Sequence, residues 1–209
     1  MNAPRPNRYR DAWCGTLTAE RADTQARVSG WVHRRRDHGG LIFIDLRDRS
    51  GIVQLVFHPE NAPQAHQAAH RLRSEDVVCA AGTVNRRQPE NVNPGLPTGE
   101  IELAVDELEV LADADTPPFP LEEGESVDEA LRLRHRALDL RRVNMQHALA
   151  LRHRVVCTMR EILNGRDFLE IETPNLTRST PEGARDYLVP ARIQPGSVYA
   201  LPQSPQLFK

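Results

Sequence analysis

Arg34-Arg35-Arg36, followed seven residues on by Phe43, are the first side chains in this sequence whose types could do chemistry. Guanidinium groups bind phosphate oxygens, and an aromatic ring offers a face on which a nucleobase can stack. The same residues fit a solvated arginine face and a core phenylalanine, and at this level both readings stay open. His66 and His70 stand one helical turn apart, a spacing that can hold a metal ion. No third ligand lies nearby, and Gln67-Ala68-Ala69 between them carries no acid. The pair therefore reads as solvated helix histidines, and no metal site is assigned. Cys14, Cys79 and Cys157 are odd in number, far apart and without metal spacing, so they read as reduced, mostly buried thiols. Neither a G-x-x-x-x-G-K-[ST] loop nor a G-x-G-x-x-G turn occurs, which excludes those two nucleotide-binding devices within this span.

The elements that must position these groups follow from periodicity. Val28 to Val32 alternates, Leu41 to Leu46 is apolar and β-branched, and Ile52 to Phe57 follows, with Gly39-Gly40 and Arg49-Ser50-Gly51 at the turns. Pro59 ends the third strand, and residues 62–73 have helical spacing with good helix formers. Val77 to Val84 and Ile101 to Leu111 supply two more strands, separated by a Pro- and Gly-containing loop. Five strands with one helix between the third and fourth is the order of an OB-fold, a small Greek-key barrel.

Beyond the barrel the composition shifts. Between Arg87 and Arg132 there are thirteen acids and no base, whereas Arg132 to Arg160 holds eight arginines and one acid, Asp139. Residues 113–127, with Thr116-Pro117-Pro118-Phe119-Pro120 and a run of acids, read as a linker rather than a packed element. Ser126 with Glu129 forms a capping box for a helix to about Arg142. A longer helix reads from Asn144 to Leu163, and Phe168-Leu169-Glu170-Ile171-Glu172 reads as a short alternating strand stopped by Thr173-Pro174. The longest apolar run, Leu41 to Ile44, is far short of the ~20 residues a membrane span needs, and the first residues lack the apolar stretch of a signal peptide. The cationic residues are 26 arginines and one lysine, Lys209, a bias that reads as genome composition.

The C-terminal third carries the most specific pattern. Phe168 to Pro174 after a long helix resembles motif 1 of class II aminoacyl-tRNA synthetases. Thr180-Pro181-Glu182-Gly183-Ala184-Arg185-Asp186-Tyr187-Leu188-Val189-Pro190 resembles the mobile loop over the amino-acid pocket of the bacterial-type aspartyl-tRNA synthetases. Tyr199 to Lys209 resembles the segment that meets the aspartate in that family. Gly30-Trp31-Val32, Arg34-Arg35-Arg36-Asp37 and Ile42-Phe43-Ile44-Asp45-Leu46-Arg47-Asp48 resemble its anticodon-binding barrel.

The resemblance implies an all-β OB-fold barrel followed by the beginning of an α+β catalytic domain built on an antiparallel sheet. It divides the chain into an anticodon-binding domain over 1–112, an acidic hinge and linker helix over 113–140, and the start of the catalytic domain over 141–209. It implies an aspartate–tRNA ligase that uses ATP and Mg2+ to form aspartyl-adenylate and transfers the aspartyl group to tRNA(Asp). It implies that Glu182 holds the substrate α-ammonium, that Gln206 and Lys209 fall in the aspartate-binding segment with Lys209 meeting the side-chain carboxylate, and that Ser204 helps orient the substrate. In the barrel it implies Phe43 as a stacking platform, Gln54 and Glu102 as base-edge readers, and Arg34, Arg35 and Arg36 as phosphate or base contacts. Histidine at the place of His38 goes in this family with enzymes that also charge tRNA(Asn). Glu90 falls at a second determinant, where relaxed relatives often carry glycine, and is a departure. A homodimer through motif 1 and a cytoplasmic location are expected as well. Motifs 2 and 3, which hold ATP, are missing from this span, so no residue is assigned to ATP or Mg2+. The span reads as a fragment without adenylation activity of its own. The alternative is a non-catalytic protein that binds a tRNA anticodon or forms dimers; a general single-strand DNA-binding barrel would leave the loop from Thr180 to Pro190 unexplained.

Overall fold

The computed structural model describes residues 3–121, 126–179, 186–201, 204–205 and 208. The chain divides into two compact units, residues 1–142 and 143–209.

The first unit is built on five strands: β1 (Gln25–His38), β2 (Leu41–Asp48), β3 (Gly51–Phe57), β4 (Val77–Arg86) and β5 (Ile101–Ala112), with helix α1 (Pro63–Ala69) between β3 and β4. They close into a barrel in the order β1-β2-β3-β5-β4, β4 returning to β1. All pairings are antiparallel except β3 with β5. This is the OB-fold order expected from the sequence, and closure leaves no strand edge unpaired. The period of two explains the core. Val28, Val32, Ile42, Ile44, Leu46, Val53, Leu55, Phe57, Ile101 and Leu103 are all fully buried, while Phe43 and Asp45, which alternate with the core residues of β2, are half-buried.

Two backbone details keep this barrel in register. The β1–β2 connection is two residues long, and Gly39 and Gly40 have φ of +60° and +83°. Positive φ at both positions is what a tight hairpin matching strand twist demands, and glycine supplies it without a steric penalty. At Gly82 a Cβ would lie 1.9 Å from the carbonyl oxygen of Ala104 on the neighbouring strand. Gly82→Ala must therefore push β4 away from β5. We expect it to destabilise the barrel by about 1–3 kcal/mol, the usual cost of forced backbone displacement, read as a lower urea midpoint. An unchanged midpoint would mean that β5 yields freely there.

A bulge interrupts β1. Val32 pairs with Leu46, but the next pair is Arg34 with Asp45, so His33 is an extra residue. Directly opposed residues share a face of the sheet. Past the bulge, Arg34, Arg36 and His38 lie opposite Asp45, Phe43 and Leu41, whereas Arg35 and Asp37 lie opposite the core residues Ile44 and Ile42.

The segment expected to be an unpacked linker departs from that expectation. Phe119 and Leu121 are 4% and 7% exposed and line a small cavity with His33, Ser74 and Glu75. Asp76 Oδ1 also accepts a hydrogen bond from the Ala114 amide at 2.7 Å. Acid and proline content pointed to solvation, but two large apolar side chains were enough to fasten the segment. The helix that follows is capped by Asp128, which accepts from the Leu131 amide at 3.2 Å, and not by Ser126. It breaks at His135 into α2 (Glu129–Arg134) and α3 (Arg136–Asp139).

In the second unit, α4 spans Val143–Asn164, and β6 (Tyr187–Pro190) pairs antiparallel with β7 (Val198–Leu201). The strand expected over 168–172 is not formed. Phe168, Leu169 and Ile171 are 61%, 84% and 72% exposed, and none of the described strands pairs with them. An alternating run becomes a strand when a neighbour takes its backbone N–H and C=O groups, and sequence pattern alone cannot supply that neighbour. None of the described helices is long and apolar enough to cross a membrane.

Candidate nucleic-acid interface

A groove of about 810 Å³ runs over the outer face of the barrel. Its walls include Arg36 and His38 from β1, Phe43 from β2, Gln54 from β3, Glu102 from β5 and Arg87 just beyond β4. The strand alternation that buries Ile42, Ile44, Leu55 and Leu103 brings these polar and aromatic groups to one surface.

Phe43 is not in the core. It is half-buried on the outer face, between its cross-strand neighbours Arg36 and Val56. Of the two readings left open by the sequence, the core phenylalanine is therefore the one the structure removes. A ring that lines a groove between two strand neighbours loses little freedom when a planar ligand stacks on it.

Gln54 is only 8% exposed and is held at both ends of its amide. Its Oε1 accepts from Arg36 Nη2 at 3.3 Å, and its Nε2 donates to Glu102 Oε2 at 3.5 Å. Arg36 Nη2 is in turn fixed by Asp45 Oδ1 at 3.0 Å. An amide offers two donors and an oxygen with two lone pairs. The neighbours use one donor and one lone pair, leaving one donor and one lone pair, and a donor with an acceptor is the pairing that a base edge presents. Burial raises the Glu102 carboxyl above its ordinary range, with Arg87 and His58 pulling it partway back. Arg87 donates from Nε to the Ile101 carbonyl at 2.8 Å and lies 3.9 Å from Glu102, while its buried Nη2 has no hydrogen-bond partner. Desolvation lowers the Arg87 pKa, so an anionic or carbonyl ligand reaching that nitrogen would satisfy both a donor and a charge.

The structure separates the arginine run. Arg36 faces the groove, and Arg34 is exposed on the same side of β1. Arg35 turns to the reverse side, donating to the His70 carbonyl and to Asp37 Oδ2 at 3.2 Å. His38 lines the groove beside the Gly39-Gly40 turn. Glu90 is exposed on a short 3-10 turn after β4, and the groove wall passes through its neighbours Asn91 and Asn93 instead. Arg87, Asn91, Asn93 and His58 were not singled out from the sequence. His58 carries a signal, since the period of two continues from Gln54 through Val56 to it; Arg87 and the asparagines sit where a loop folds back, which no periodicity encodes.

His66 is not merely solvated either: it is half-buried, and its Nε2 lies 2.9 Å from the Gly40 carbonyl oxygen. None of the described residues forms a cluster able to hold a metal ion. Of the expected aspartate-binding residues, Ser204 is described and exposed, whereas Glu182, Gln206 and Lys209 lie outside the described residues.

Comparison with known proteins bears on both units. Residues 26–111 match the OB-fold nucleic acid binding domain, and residues 128–209 match the tRNA synthetases class II (D, K and N). The chain is 56% identical over 203 residues to an aspartate–tRNA(Asp/Asn) ligase of Desulfosudis oleivorans, covering 97% of this chain and 34% of that protein. A ligase of the same name from Moorella thermoacetica is 59% identical over 201 residues, covering 96% and 33%. The asparaginyl-tRNA synthetase of Pyrococcus horikoshii, solved with asparaginyl-adenylate, superposes with a TM-score of 0.80 at 26% identity, over 94% of this chain and 43% of that one. The chain thus spans about a third of the length of the curated relatives it matches. With a nucleic-acid-binding barrel and a synthetase segment matched in succession, and relatives along nearly all of its length, the chain belongs to the class II tRNA synthetases of the D, K and N group.

Proposed function

We propose that this chain is the anticodon-reading part and the first portion of the catalytic domain of an aspartate–tRNA ligase. The observation that carries the reading is the groove, in which an outward-facing ring, a pre-oriented amide and paired guanidinium groups are brought together on one barrel face. The tRNA anticodon loop enters there: Phe43 stacks under one base, Gln54 and Glu102 take base edges, and Arg34 and Arg36 meet backbone or base oxygens. Arg35 supports the hairpin from behind and contacts RNA less than its sequence neighbours do. The functional division follows the sequence reading, with residues 1–112 for the anticodon, 113–140 as the hinge and linker helix, and 141–209 opening the catalytic domain.

In the complete protein the reaction joins L-aspartate to ATP and then to tRNA(Asp). Glu182, Ser204, Gln206 and Lys209 form the aspartate contacts, with Lys209 meeting the side-chain carboxylate. ATP and Mg2+ supply the leaving group and charge neutralisation, and no residue of this span is assigned to either. The exposed apolar side chains of α4, among them Leu151, Met159 and Ile162, support a homodimer formed through motif 1. The free thiols support a cytoplasmic site of action.

The tRNA choice is relaxed, taking tRNA(Asn) as well as tRNA(Asp). The two differ at the third anticodon base, cytosine in one and uridine in the other. His38 lines the groove and its imidazole can donate or accept, so it can tolerate both, whereas strictness needs one base penalised. Glu90 stands outside the groove wall and exerts a weaker influence. Charging assays on both transcripts with the complete protein are expected to give comparable efficiencies, and His38→Leu is expected to favour tRNA(Asp) by tenfold or more. A hundredfold preference in the unaltered protein would refute the relaxed reading.

A further inference from the structure

The hairpin tip that carries His38 is held from behind. Gly39 and Gly40 both have positive φ, and a Cβ placed on either would meet nothing within 4 Å. The turn thus projects into open space and has little packing of its own. Helix α1 reaches it through His66, whose Nε2 is 2.9 Å from the Gly40 carbonyl oxygen. A carbonyl oxygen accepts and cannot donate, so Nε2 carries the proton, in the neutral or the cationic ring alike. One turn further along the chain, the His70 carbonyl accepts from Arg35 Nη1, and Arg35 also binds Asp37. The two histidine rings pack edge to face with centroids 4.8 Å apart, so the tether and its anchor brace each other. The helix itself is seated on the barrel by the buried Ala65 and Ala69, and the chain after it by Leu72.

We infer that α1 is the buttress of the specificity hairpin, and that His66 is a positioning residue that sets where His38 meets the third anticodon base. The β1 residues divide the labour: Arg36 and His38 line the groove opposite Phe43 and Leu41, while Arg35 binds the His70 carbonyl and Asp37 and so ties the tip to the end of α1. His66 does not touch RNA; it fixes the turn through the Gly40 carbonyl. This inference rests on the proposed anticodon groove and adds to it the source of its rigidity.

The test uses the 209-residue chain and 17-nucleotide anticodon stem-loops, intact, abasic at the third anticodon position, or abasic at the second. For the unaltered chain, removing the third base weakens binding. In His66→Ala that penalty is expected to shrink by about three- to tenfold, the scale of one lost hydrogen bond, while the penalty for the second base stays the same. His66→Gln, whose amide N–H can reach the same carbonyl, is expected to restore it. A general loss of folding would lower both penalties together and would not be rescued selectively. An unchanged third-base penalty in His66→Ala, or no third-base penalty in the unaltered chain while Phe43→Ala still abolishes binding, overturns the inference and leaves the groove intact. Binding that is absent altogether, or indifferent to Phe43→Ala, overturns the groove reading and the inference with it.

Discussion

Replacing Glu75 by Gln is expected to cost the first unit about 3–5 kcal/mol, the range for stripping the partner from a buried charge. Glu75 is 3% exposed, and Arg47 Nη2 reaches its two oxygens at 2.8 and 3.0 Å. Arg141 adds a third contact at 2.7 Å, and both guanidinium groups lie over the ring of Trp31, at 5.8 and 4.7 Å from its centroid. The carboxylate thus joins β2 to the segment that ends the unit. The backbone around it is equally committed, since the Glu75 amide donates to the Val32 carbonyl at 2.7 Å and the Val32 amide to the Asp76 carbonyl at 2.8 Å. Glu75 itself has a φ of +71°, a left-handed conformation that costs a non-glycine residue roughly 1–2 kcal/mol. The network must offset that strain. Gln keeps the shape but leaves the buried Arg47 without a counter-charge. For a domain whose total stability is about 5–15 kcal/mol, a loss of this size is a large drop in the urea midpoint. Replacing Arg47 and Glu75 together by Met and Leu should be less harmful than Glu75→Gln alone. A double variant as unstable as the sum of its parts would show that the pair is not electrostatically coupled.

Phe43→Ala is expected to weaken anticodon stem-loop binding by about 1–3 kcal/mol, the usual value of one stacked base, with little change in the unfolding midpoint. The contrast lies one residue along the strand. Ile44 is fully buried, and Ile44→Ala should cost about 2–5 kcal/mol of fold stability. Titration of labelled stem-loop and urea denaturation of the same two variants separate the roles. An unchanged affinity for Phe43→Ala would remove the ring from the interface.

The barrel was legible because its signal is local: alternation in β2 and β3 names both the core and the outer face, and paired glycines mark the hairpin. Two kinds of information were not. The bulge at His33 is one residue in length and changes no composition, yet it decides which arginines face the groove. The packing of Phe119 and Leu121 depends on a cavity beside Glu75 that is assembled from distant segments. Around the break at His135, which the sequence does not announce, Asp139, with no exposed surface, gathers Arg132, Arg136 and Arg142 around itself. Such a cluster is a tertiary fact. The run from Phe168 to Glu172 shows the converse, a pattern correct in its period that finds no partner among the described strands.

The extra residue at His33 works like a frame marker for everything between it and the turn. If β1 paired without it, His33 would stand opposite Asp45, Arg35 opposite Phe43 and Asp37 opposite Leu41. Because all three consecutive positions are arginine, the charge beside Phe43 would survive that slip unchanged. The position opposite Leu41 would not, since the Asp37 carboxylate would replace the His38 imidazole there, and the loop would grow from two residues to three. Deleting His33, by contrast, would leave Arg34 opposite Asp45 and every later pair as it is. The charge beside Phe43 is thus written redundantly, whereas the place of His38 rests on a count of residues.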